Sequence, residues 1–154
     1  MASSTLLQKL DGGSDFGSTT SNRRQTEIFL AAETLVVGDA VSVDLSKTND
    51  GDKGLYIVKA DTGTATDRCF VGVVLQSVEP DGTLTAESRI EVVTRGLVTA
   101  NVAGTTVAGS QMVISAVAGQ LLLKVPATNL YPVAAISSEA DTANLAKVYV
   151  LSSF

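Results

Sequence analysis

The residue that most limits the chemistry of this chain is one it lacks. Its 154 residues include no histidine and a single cysteine. Without an imidazole, serine–histidine and cysteine–histidine nucleophile pairs are excluded, and a zinc site would need one thiol plus carboxylates. Cys69, between Arg68 and Phe70, has no base to activate it and reads as a small buried hydrophobe. A lone cysteine forms no intrachain disulfide and gives no sign of an oxidising compartment. The closest carboxylate pairs are Asp50 with Asp52 and Asp61 with Asp67. Both fall in turn-forming strings, where aspartate bonds to its own backbone, so a turn role takes precedence over acid–base work. From Asp44 to Asp52 the oxygen ligands miss the alternating positions of an EF-hand, and no glutamate closes the loop. Only a weak ion site in these turns stays open. Gly12-Gly13 sits in a serine-rich segment and not after a strand, so it is no phosphate cradle. The expectation is no catalytic residue, no cofactor and no structural metal.

The elements that carry these residues speak of β-structure, twice over. The first pass runs Gly38-Asp39-Ala40-Val41-Ser42-Val43, Tyr56-Ile57-Val58-Lys59, Val71 to Ser77, and Arg89 to Thr94. The second runs Gly109-Ser110-Gln111-Met112-Val113-Ile114, Leu121-Leu122-Leu123-Lys124, Pro132 to Ser138, and Lys147 to Leu151. Two imperfect copies suit a pseudo-symmetric barrel or sandwich better than a solenoid. The period is two, with Ile90, Val92 and Thr94 on one face and Glu91, Val93 and Arg95 on the other. Turn signals stand between the runs, as at Asp61-Thr62-Gly63, Pro80-Asp81-Gly82 and Ala118-Gly119. Thr26 to Leu35 has mixed spacing and is read as a strand. Ser138 to Ala146 is either a short helix or a hairpin loop. The predicted fold is all-β: a compact antiparallel barrel or sandwich over residues 26–154 with a weak internal two-fold repeat, preceded by an extended arm over residues 1–25 that is rich in Ser, Thr and Gly.

Composition sets further bounds. Hydrophobic residues make up 45% of the chain but aromatics 5%, with no Trp, so the core must be built from Val, Leu, Ile and Ala. Each buried residue then contributes less, and oligomerisation is a plausible supplement. The net charge is −5, which argues against general nucleic-acid affinity, since phosphate neutralisation needs clustered Lys and Arg. Gly96 to Leu123 carries no charge, yet its glycines and polar residues would be costly in lipid and suit a buried, turn-rich β-region better. The N-terminus has neither the basic start nor the apolar run of a signal peptide, and no membrane partner is expected.

The order of features, namely a polar arm followed by Val37-Gly38-Asp39-Ala40-Val41, Phe70-Val71-Gly72-Val73-Val74-Leu75, Glu91-Val92-Val93-Thr94-Arg95-Gly96-Leu97-Val98 and Val107-Ala108-Gly109-Ser110, resembles the small capsid decoration (cement) proteins of tailed bacteriophages. The likeness covers about residues 30 to 154, and its strings are modestly specific. It implies a compact β-fold, assembly as a homotrimer, no active site, and a place on the outside of a virion where capsomers of the major capsid protein meet, after synthesis in the host cytoplasm. Its candidate capsid contacts lie in the arm: Leu6, Leu7 and Leu10 as an apolar cluster, with Arg23 and Arg24 as the only adjacent basic pair. Two other classes stand beside it. A small ligand- or glycan-binding β-module needs aromatic stacking surfaces, and the three tyrosines and four phenylalanines are not clustered in sequence. A trimeric β-rich enzyme of nucleotide metabolism needs an Asp-bearing strand and a Gly-rich phosphate loop, which are not found.

Overall fold

The computed structural model describes residues 24–49, 52, 54–63, 69–125 and 132–151, and among them every regular element is a strand. They are β1 (Gln25–Ala31), β2 (Ala40–Val43), β3 (Tyr56–Lys59), β4 (Phe70–Ser77), β5 (Arg89–Ala103), β6 (Gln111–Ile114), β7 (Leu121–Leu123), β8 (Ala135–Ser137) and β9 (Leu145–Val150). No helix among these residues is long and apolar enough to cross a membrane. Thr26 to Leu35 resolves into β1 and a bend. Of the stretch Ser138 to Ala146, residues 138–144 form a loop pinned by a bridge between Thr142 and Leu145, and the last two residues already belong to β9.

The strands close into two rings that share one member. In the first ring β1 pairs in parallel with β3, β3 with β2, β2 with β4, β4 with β5, and β5 returns to β1. In the second, β5 pairs in parallel with β7, β7 with β6, β6 with β8, β8 with β9, and β9 returns to β5. The 15-residue β5 thus ends the first barrel and begins the second. Its partners change between Arg95, opposite Gln25, and Gly96, opposite Val150. Gly96 has φ +108°, a conformation costly for any residue with a Cβ, and here glycine lets one strand change barrels without a loop. Every described strand has two neighbours, so no edge is left open.

The repeat read from the sequence is reproduced bond by bond. Val41, Ser42 and Val43 face Lys59, Val58 and Ile57, just as Met112, Val113 and Ile114 face Leu123, Leu122 and Leu121. The Gly38 amide donates to Val74 O and the Gly109 amide to Ser137 O; the Asp39 amide donates to Val36 O and the Ser110 amide to Val107 O. Both glycines have positive φ, +92° and +81°, which the tight entry into β2 and β6 demands.

Two apolar clusters fill the body, built mainly from aliphatic side chains as the composition requires. Ile57, Val71, Val74, Ile90, Val92 and Phe29 belong to the first barrel. Val98, Ala100, Val102, Met112, Leu121 and Val148 belong to the second, and Ala40, Val73 and Val93 of the first barrel pack with them. Alternation puts Val93 on the face of β5 opposite Ile90 and Val92, yet it is 0% exposed, because the second barrel covers it. The charge-free stretch Gly96 to Leu123 is the half of β5 and the β6–β7 hairpin that build this second core.

Cys69 corrects one expectation, because the thiol is exposed and not buried. Its carbonyl accepts the Val43 amide at 3.0 Å at the mouth of β4. Phe70 takes the next, inward position, so alternation turns Cys69 outward. Cys69→Ser is therefore expected to shift stability by no more than about 0.5 kcal/mol. A melting-temperature drop of more than about 5 °C would place the thiol back inside.

Candidate functional site

Polar groups from both barrels converge at the seam between them. Asp39, at the entry to β2, is 6% exposed. Its Oδ2 accepts the Val36 amide at 2.8 Å, its Oδ1 accepts Asn101 Nδ2 at 2.9 Å, and Lys59 Nζ stands 3.9 Å away. Val36 and Lys59 are parts of the first barrel and Asn101 of the second half of β5, so this carboxylate fastens the two together. Main-chain bonds run alongside: Ala40 N to Gly119 O at 2.8 Å, Gly119 N to Ala60 O at 3.0 Å, and Asn101 N to Gly38 O at 2.8 Å. Sequence reasoning saw only a turn here. The available signal was the one polar difference between Gly38-Asp39 and Gly109-Ser110.

Beside the seam opens a cleft of about 360 Å³, with Arg24 and Lys147 over an apolar floor of Val37, Leu75, Leu97 and Val98. Arg24 Nε is buried and has no hydrogen-bond partner among the described residues. Lys147 Nζ stands 3.6 Å from Glu139, both about half exposed, a pair too well solvated to be strong. A guanidinium donor held out of water without a partner favours an anionic group, above all a carboxylate, which can satisfy it with a charge-assisted bond. None of the described residues lining this cleft is aromatic.

A second hollow, broad and open at about 520 Å³, lies at the loop between β4 and β5 and carries Glu79, Asp81 and Glu87. Glu79 Oε1 accepts both the Nε and the main-chain amide of Arg89 at 3.0 Å. These bonds hold its carboxyl below the ordinary value of 4.5. A group that titrates lower in the folded chain than in the unfolded one contributes stability above the unfolded value and loses it as pH falls through the folded one. Glu79→Gln is thus expected to flatten the fall in melting temperature below about pH 4.5 and to leave its slope above pH 6 unchanged. Parallel curves for the two proteins would show that the pair contributes nothing.

Of the residues singled out from sequence, Arg24 lines the seam cleft, while Leu6, Leu7, Leu10 and Arg23 lie outside the described residues. Asp61 takes its turn role, accepting the Gly63 amide at 2.7 Å, and Asp52 accepts Asn49 Nδ2 at 3.2 Å. Asp50 and Asp67 fall outside the described residues. Asp44 turns onto Ser46, accepting its amide at 2.9 Å and its hydroxyl at 2.6 Å. Among the described residues no three or more Asp, Glu or Cys side chains gather as metal ligands. Comparison of the chain with protein-family models and with curated proteins finds no match.

Proposed function

We propose that the chain is a structural virion protein, without enzymatic activity or cofactor, that binds the outer surface of a phage capsid and stabilises contacts between capsomers. One observation supports the reading: Arg24, with which the described residues begin, lines the cleft beside the seam of a body whose described strands are all paired. Such a body cannot bind by lending a strand edge, so its contacts must come from side-chain surfaces and from the arm. The segment before it carries an apolar cluster, Leu6, Leu7 and Leu10, with the basic residues Lys9 and Arg23. Assembly as a homotrimer on the major capsid protein would multiply weak arm contacts through avidity. The alternative, a small ligand- or glycan-binding module, would use the same cleft, whose described lining residues include no ring on which a sugar could stack.

The test is removal of residues 1–22, stopping short of Arg24 and of β1. The truncated chain is expected to fold and to keep its oligomeric state. Its binding to capsids stripped of the native protein should weaken at least tenfold, since each leucine buried on docking contributes roughly 1.5 to 3 kcal/mol before the cost of ordering the arm. Unchanged occupancy on the particles would reject the arm as the docking element.

A further inference from the structure

The cleft beside the seam is assembled from both barrels. Arg24 immediately precedes β1, whose Gln25 lies opposite Arg95 at the end of the first ring, while Lys147 lies on β9 opposite Thr99 in the second. Leu97 and Thr99 share the outer face of β5, because Val98 between them belongs to the second core. The first barrel supplies the rest of the floor through Val37 and Leu75. The lining thus joins two cations to an aliphatic floor, and none of its described residues is acidic, in a chain whose acidic residues outnumber its basic ones by 16 to 11. That local reversal of charge sits where Arg24 Nε is shut off from water with no hydrogen-bond partner among the described residues. Leaving such a donor unpaired is costly, and a bound acceptor removes the cost.

The two halves of the lining together select a ligand. A phosphate or a nucleotide is a poor match: a dianion would lose its water against Val37, Leu75 and Leu97 with two cations to hold it, and no ring among the described lining residues could stack on a base. An uncharged apolar molecule would cover the floor and leave the guanidinium donor unpaired. One negative charge on a saturated chain satisfies both. We infer that the cleft binds a short aliphatic monocarboxylate, its head group held by Arg24 and Lys147 and its tail laid on Val37, Leu75 and Leu97. Arg24 supplies a charge-assisted bond from a position already out of water. Lys147, 3.6 Å from Glu139 with both about half exposed, turns to the ligand at little expense. At about 360 Å³ the cleft lies at the small end of ligand sites, which suits a chain of a few carbons and not a long acyl tail.

The inference goes beyond capsid binding and is tested on the full chain without capsids. Sodium hexanoate is titrated into the isotope-labelled protein and followed by amide chemical shifts. Saturable shifts are expected at Leu75, Leu97, Thr99 and Lys147, with a Kd of about 1 mM or tighter. Acetate keeps the head group and lacks the tail, while 1-hexanol keeps the tail and lacks the charge; each is expected to bind about tenfold or more weakly than hexanoate. That comparison is made on the wild-type chain and so does not depend on how any variant folds. Arg24→Gln is expected to weaken hexanoate by about tenfold or more, and Lys147→Gln, at the solvated edge, by about threefold. Arg24→Lys keeps the charge without the Nε donor and is expected to recover only a small part of the loss. Hexanol or inorganic phosphate binding at the same amides as tightly as hexanoate, an Arg24→Gln chain with wild-type affinity, or shifts that fail to saturate by about 20 mM hexanoate would each overturn the site.

Discussion

Gly72→Ala is expected to lower the melting temperature by roughly 6 to 12 °C, the effect of about 3 kcal/mol in a chain of this size. A Cβ added at Gly72 would lie 2.2 Å from Val93 O, 2.9 Å from Val93 C and 2.8 Å from Val92 Cγ1. The first two atoms are backbone of β5, the strand both barrels share, so neither can swing aside as the end of a long side chain would. Relief requires β4 to move from β5, which disturbs the buried pairs Val73–Val93 and Val74–Val92. The corresponding position of the second barrel is Ala135, which is accommodated while fully buried, and Ala135→Gly is expected to lose only about 1 kcal/mol. Thermal melts of the two variants side by side make the comparison. A Gly72→Ala chain that melts within 2 °C of wild type would mean that β4 and β5 are not so closely spaced.

The second large effect is expected at Asp39. Asp39→Ala removes the part-buried acceptor of the Val36 amide and of Asn101 Nδ2, and a donor that loses its partner away from water costs about 1 to 3 kcal/mol. With Lys59 also losing its counter-charge, the loss is expected at about 3 kcal/mol, or roughly 6 to 12 °C. The place of the damage distinguishes this variant from Gly72→Ala. Hydrogen exchange should accelerate first at Asn101 and Gly119, whose amides bridge the barrels, and not at Ile57 or Val92 within the first core. Asp39→Asn keeps one acceptor and should recover about half of the loss. Uniform acceleration across both barrels, or none, would remove Asp39 from its role as the fastener of the seam.

What the sequence disclosed and what it withheld follow from the range of the forces involved. The strands of both copies were legible because a half-buried strand writes its period into four or five consecutive residues, and the turns because Asp-Gly and Ala-Gly strings act locally. Val93 does lie on the face of Glu91 and Arg95, but its burial comes from another barrel, and alternation cannot report contact with a remote part of the chain. Cys69 failed in the opposite sense: its type predicts burial, but the phase of β4, set by Phe70, turns it outward. The half of β5 after Gly96 was legible only as part of a buried, turn-rich β-region, because the change of partners at Gly96 is made with strands remote in the chain. Arg24 was found as half of a basic pair, but its position in a cleft with Lys147, 123 residues on in the chain, is a product of the closed rings alone.

The shared strand also sets a length. Fifteen extended residues measure about 50 Å at roughly 3.3 Å each, and no flexible linker lies between the barrels to change that span. The loops at its two ends are held at a constant separation. Such a molecule behaves as a spacer of one gauge: whatever it grips at its far ends, it holds at a distance decided by a single uninterrupted strand.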